Sequence, residues 1–113
     1  MSLSVGQAWA VLLVAGLFEI VWALGLKYSD GFSKLWPSVV VVVGAAVSFW
    51  LLALAMRSLP AGTAYAVWTG IGAAGTALLG IMLLGESASL VRLGCIALIV
   101  LGVLGLKFAG DAS

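Results

Sequence analysis

Polar residues gather in three short clusters, and between them the chain runs apolar for stretches of about 20 residues, the length a helix needs to cross a bilayer. Four such stretches are present, over about 4–26, 35–56, 61–84 and 90–108. The segments Lys27–Lys34, Arg57–Pro60 and Gly85–Ser89 join them and carry most of the charges. They also carry the two turn-like clusters, Ser29-Asp-Gly31 and Leu59-Pro-Ala-Gly62. Pro37 falls in the first turn of the second stretch, where proline is tolerated. The apolar runs are too long for strands and do not alternate. The pattern predicts an all-α membrane protein with four transmembrane helices per subunit, a single domain over 1–113.

Composition makes lipid the solvent. The chain is 65% hydrophobic and 8% charged, whereas soluble domains run near 45–50% apolar and about 25% charged. A soluble fold this small has too little interior to hide that much apolar surface. Histidine is absent and Cys95 is the single cysteine, so no disulfide framework, metal site or imidazole chemistry is expected. No phosphate-cradling loop occurs, and a net charge of +1 argues against nucleic acid. No cofactor is expected. The N-terminus lacks a basic segment before its apolar run, which is too long for a signal peptide.

Against this background Glu19 stands out. No other ionisable side chain lies between Met1 and Lys27. A charge at the centre of a spanning helix costs roughly 2.5–3.5 kcal/mol on insertion scales, so such a group marks a functional site by default. Helical spacing puts Leu12, Ala15, Gly16, Glu19, Trp22 and Ala23 on one face. Trp22, one turn on, either donates its indole N–H into the site or belongs to an interfacial aromatic belt. Ser48 is the one polar group near the middle of the second span, and it either joins the site or bonds its own i−4 carbonyl. In the third span Tyr65, Trp68, Gly72 and Gly75/Thr76 share a face. Gly70 and Gly72 read either as a hinge beside an aromatic wall or as a close-packing surface. Cys95, Leu98, Gly102 and Gly105 form a narrow ridge on the fourth span, a seam either between subunits or within one.

Four short helices cannot both enclose a solvated path and wall it from lipid. Three helices per subunit around a shared cavity, with the fourth as a dimer clamp, can. Two copies bring two Glu19 carboxyls together; burial and like charge oppose double ionisation, so the pair is expected to exchange protons as a unit. Trp22, Ser48, Tyr65 and Trp68 are candidate donors to the carboxylates. A site that holds either protons or one cation is an exchanger, provided it opens to one side at a time. The charge balance bears on topology. The side of the termini carries Arg57 and Lys107, and the other carries Lys27, Lys34 and Arg92. Basic-residue excess sets orientation, and a difference of one leaves either a weak bias or insertion in both orientations.

The motifs resemble those of the small multidrug resistance family of transporters from about Trp9 to Lys107. They are Glu19, Lys27-Tyr-Ser-Asp-Gly-Phe32, Pro37, Ser48-Phe-Trp-Leu-Leu52 and, most specific, Pro60-Ala-Gly-Thr-Ala-Tyr-Ala-Val-Trp-Thr-Gly-Ile-Gly72. Within that family, Phe18-Glu-Ile-Val-Trp-Ala-Leu-Gly-Leu-Lys27 resembles the guanidinium-exporter subtype, as does Lys107 near the end of span four. The resemblance implies an antiparallel, dual-topology homodimer in the bacterial cytoplasmic membrane that exchanges guanidinium for protons. It assigns Glu19 to substrate and proton binding, Trp22, Ser48, Tyr65 and Trp68 to its support, and Gly70-Ile-Gly72 to a kink. A planar cation suits these residues: its N–H fork matches carboxylates and its faces can lie on aromatic rings. Two rivals are a broad quaternary-ammonium and multidrug exporter of the same family, which Trp22 counts against, and a non-transporting membrane assembly subunit. A channel is a third.

Overall fold

The computed structural model describes residues 3–112 (the side chains of 110–112 excepted). It contains α1 (Val5–Tyr28), α2 (Leu35–Ala55), α3 (Ala61–Leu84) and α4 (Leu90–Ala112). Each is long and apolar enough to cross a membrane.

Local chemistry fixes the ends. Ser4 and Gln7 close a capping box over the start of α1: the Gln7 N–H donates to Ser4 Oγ at 3.1 Å, and the Ser4 N–H donates to Gln7 Oε1 at 3.0 Å. The helix runs two residues beyond the expected Leu26 because the device that stops it is Ser29. This fully buried hydroxyl donates to the Leu26 carbonyl at 2.8 Å and accepts from the Phe32 N–H at 3.1 Å. The chain then turns through three consecutive positive-φ residues, Asp30, Gly31 and Phe32. Pro60 caps α3, where a missing N–H removes nothing the helix would use. Gly85, at φ 67°, ends α3 in the left-handed conformation, and the Glu86 N–H donates back to the Gly80 carbonyl at 3.2 Å.

The helices pack as a flat bundle of 42 × 35 × 16 Å. α1 packs on both α2 and α3, α2 and α3 touch beside it, and α4 packs on α3. The core lies where α1, α2 and α3 meet and contains Ala8, Leu12, Ala15, Leu52, Ala55, Ala64, Val67 and Trp68. Small residues on α1 draw the backbones together. A methyl on Gly16 would sit 2.6 Å from an Ile71 methyl, so α3 lies against α1 at a distance only glycine permits. On α4, Ile96 is buried and Val103 is half-buried, reaching Gly70 of α3, while Cys95, Leu98, Gly102 and Gly105 are exposed.

Candidate functional site

Two constellations meet on α1. The first is a hydrogen-bonded aromatic cluster. The Ser48 hydroxyl, fully buried, donates across to the Ala15 carbonyl of α1 at 2.7 Å and accepts from the Trp68 indole N–H at 2.9 Å. One hydroxyl therefore ties α1, α2 and α3 together at mid-span. The open alternative for Ser48, a bond to its own i−4 carbonyl, is not the one taken. Around this hub four rings make a continuous ribbon. Trp22 stacks on Phe49 at 6.2 Å, Phe49 tilts against Trp68 at 5.3 Å, and Trp68 tilts against Tyr65 at 5.6 Å. Pairs at these separations add about 0.5–1.5 kcal/mol each beyond their burial. Trp68 is buried, whereas Phe49 and Tyr65 are 52% and 56% exposed, so one edge of the ribbon is open.

The second constellation is a groove between α1 and α3 that holds Glu19. The carboxylate lies flat against α3 over Gly72; a methyl on that glycine would collide with Glu19 Oε1, Cδ and Cγ. Glu19 is half-buried, and its Oε1 is buried without a hydrogen-bond partner. Thr69 and Thr76 line the same groove, and Thr76 Oγ1 is likewise buried and unpartnered. The Trp22 indole N–H is a third buried group in this state. A carboxylate oxygen and a hydroxyl lie unsatisfied in one groove, with an unsatisfied indole donor one turn away on α1, and each such buried group calls for a partner.

The structure thus sorts the expected site residues. Trp22, Ser48, Tyr65 and Trp68 come together. Ser48 and Trp68 do not donate to Glu19 as expected, because each has one proton and those go to the Ala15 carbonyl and to Ser48 Oγ. Both hold α1 at Ala15, one turn before Glu19. Gly70 and Gly72 lie in an unbroken helix, and both act in close approach: Gly70 admits Val103 of α4 and Gly72 admits Glu19. Phe49 joins the ribbon too; the sequence marked it only as part of the Ser48-Phe-Trp-Leu-Leu52 motif and gave it no role. Glu86 and Arg92 also line the groove, and nothing in their spacing places them near Glu19.

Comparison with known proteins shows the family. The family model described as Small Multidrug Resistance protein matches residues 7–99. The chain is 65% identical over 103 residues to a protein named Guanidinium exporter from Yersinia pseudotuberculosis, covering 91% of this chain and 99% of the relative. It is 63% identical to a protein of the same name from Escherichia coli K12, covering 91% and 98%. One from Proteus vulgaris is 57% identical, covering 91% and 99%. Four spanning helices and exporters as relatives make this a multi-pass membrane protein.

Proposed function

The chain belongs to the small multidrug resistance family, and from that premise we propose that it exports guanidinium, or a small guanidinyl cation, in exchange for protons across the bacterial cytoplasmic membrane. The observation that carries the chemistry is the unpartnered Glu19 oxygen in the α1–α3 groove. An ionised carboxylate there is poorly compensated, so it holds either a proton or a cation. Guanidinium answers it in shape: its N–H fork reaches the carboxylate and a neighbouring acceptor such as Thr76 Oγ1, and its flat faces suit an aromatic wall.

Phe49 and Tyr65 are left exposed beside the site, and a second copy would cover them. The working unit is an antiparallel homodimer in which two Glu19 carboxylates hold protons or one cation competitively. The exposed ridge of Cys95, Leu98, Gly102 and Gly105 forms the seam. Alternating access follows if the two subunits exchange conformations, with α3 bending at Gly70 and Gly72. The open edge of the aromatic ribbon favours a second reading, export of larger quaternary or aromatic cations. Proton movement in liposomes on adding each cation separates the two. Guanidinium active and tetraphenylphosphonium inert supports the first reading. Wild-type exchange by Glu19→Gln would sink the mechanism for either.

A further inference from the structure

The groove that holds Glu19 continues beyond it. It follows α1 through Ala23 to Lys27 and α3 through Thr76 and Gly80 to Leu84, and it ends at Glu86 and Arg92. At 1.5 Å per residue, Gly72 and Leu84 are roughly 18 Å apart along the helix axis. The groove therefore runs from mid-membrane to the loop side of the bundle. Glu19, Lys27, Glu86 and Arg92 are four of the chain's nine charged residues, and all of them line it. The grooves beside α2 and α4 are walled almost wholly by apolar side chains. Of these four grooves it is the polar one.

At its outer end an Arg92 guanidinium nitrogen donates to Glu86 Oε1 at 2.6 Å. Local structure puts the carboxylate in the groove instead of the solvent. Gly85 turns the chain back across the end of α3, and Gly80 has no side chain; a methyl there would collide with the Glu86 carboxylate. Arg92 reaches in from the first turn of α4, its backbone N–H held by Ser89 Oγ at 3.2 Å. The pair has one prong, from Nη2 to Oε1, and Arg92 Nε is buried without a partner. The two-pronged fork that makes such pairs strong is not formed. Both side chains are more than a third exposed, at 37% and 38%. The C-terminal ends of α1 and α3 and the N-terminal end of α4 meet at this mouth, so their helix dipoles offset one another in part.

The cargo proposed above and the group now resting on Glu86 are the same chemical group. We propose that Glu86 is an outer binding site for the guanidinium cation: the incoming ion displaces Arg92 from the Glu86 carboxylate, then passes inward along the Thr76 side of the groove to Glu19. The exchange replaces one N–H to carboxylate contact by another of the same kind, and the free ion is able to form the two-pronged contact that Arg92 does not. Arg92 swings into solvent, and Lys27, already exposed, stays there. The inference rests on the guanidinium reading of Glu19.

The competing account is that the pair only fastens the turn over 85–89. The two accounts predict opposite signs for Arg92. In liposomes holding full-length protein, initial rates against guanidinium concentration are measured for wild type, Glu86→Gln, Glu86→Asp and Arg92→Gln. Glu86→Gln should lower kcat/KM about fivefold, the scale of a partly exposed charge contact. Arg92→Gln should lower KM about twofold to fivefold, because the tethered competitor is gone. Glu86→Asp, shorter by one methylene, should fall between Glu86→Gln and wild type, and it keeps the test open if Glu86→Gln folds poorly. Equal losses in Glu86→Gln and Arg92→Gln, or wild-type kinetics in Glu86→Gln, would each overturn the outer site. Wild-type guanidinium exchange alongside any of these leaves the reading of Glu19 standing; wild-type protein that moves no guanidinium removes both.

Discussion

Gly72 leaves room for Glu19 against α3, and Ser48 holds α1 one turn before it, although neither bears charge. Adding a methyl at Gly72 places carbon on the Glu19 carboxylate. The obstacle is the far end of a flexible side chain, so the helix accommodates the change, and alanine is the better helix former by about 1 kcal/mol. Glu19, however, must leave its seat against α3. Gly72→Ala is expected to retain its melting temperature and to lose roughly tenfold or more in guanidinium-driven exchange, the equivalent of about 1.4 kcal/mol; a stability scan and a liposome assay on one preparation check both. Ser48→Ala acts in the other direction. It removes the acceptor of a buried indole N–H and the one hydroxyl that ties the three helices. Orphaning a buried donor costs about 1–3 kcal/mol, and interhelical bonds in membranes fall at the lower end. A lowered melting temperature with rearranged Trp68 fluorescence is the expected readout. That a polar atom sits mid-span was plain in the sequence. Its partner was not, because a hydroxyl's choice between its own helix and a neighbour's carbonyl depends on how close the neighbour lies.

α4 is the element whose place the chain alone does not explain. It rests on α3, with Ile96 and Val103 turned inward, while Gly94, Gly102 and Gly105 face open space. The ridge has a symmetry that makes its pairing testable. Residues 95 and 105 are equally far from residue 100, as are 98 and 102, and the spanning part of α4, Leu90–Ala109, is centred there. An antiparallel crossing at mid-membrane therefore sets Cys95 beside Gly105 of the partner subunit, and a parallel one sets Cys95 beside Cys95 of the partner subunit. Under mild oxidant in lipid, Gly105→Cys is expected to give covalent dimers and the wild type none; disulfides close only at Cα separations of about 4.4–6.8 Å. Covalent dimers of the wild type through Cys95 would reject antiparallel pairing. The four helices themselves were legible, since an apolar run of spanning length has few alternatives in lipid. Their packing against one another was not. Spans one to three present small residues on more than one face, and only the fit of Gly16 to Ile71, or of Gly70 to Val103, decides which faces meet.

At the scale of the molecule, the proposed dimer would cover Phe49 and Tyr65, which one copy leaves exposed. Which way the second copy is inserted is decided by very little: two basic residues on the side of the termini against three on the other. Insertion responds to that excess over short loops, so a balance this close is expected to produce both orientations, and small changes should break it. Arg57→Gln leaves one basic residue against three. Lys34→Gln with Ala61→Lys and Gly62→Lys, at positions exposed in the fold, leaves four against two. Reporters on the C-terminus should find the wild type on both sides of the membrane and each variant on one, the two variants on opposite sides. If the working unit is antiparallel, each variant alone should fail to export guanidinium, and the two expressed together should recover it, because each supplies the orientation the other lacks. Full activity from either variant alone would show that one orientation suffices. The paired carboxylates would then have to come from parallel subunits, with α4 crossing in the sense that the Cys95 experiment detects.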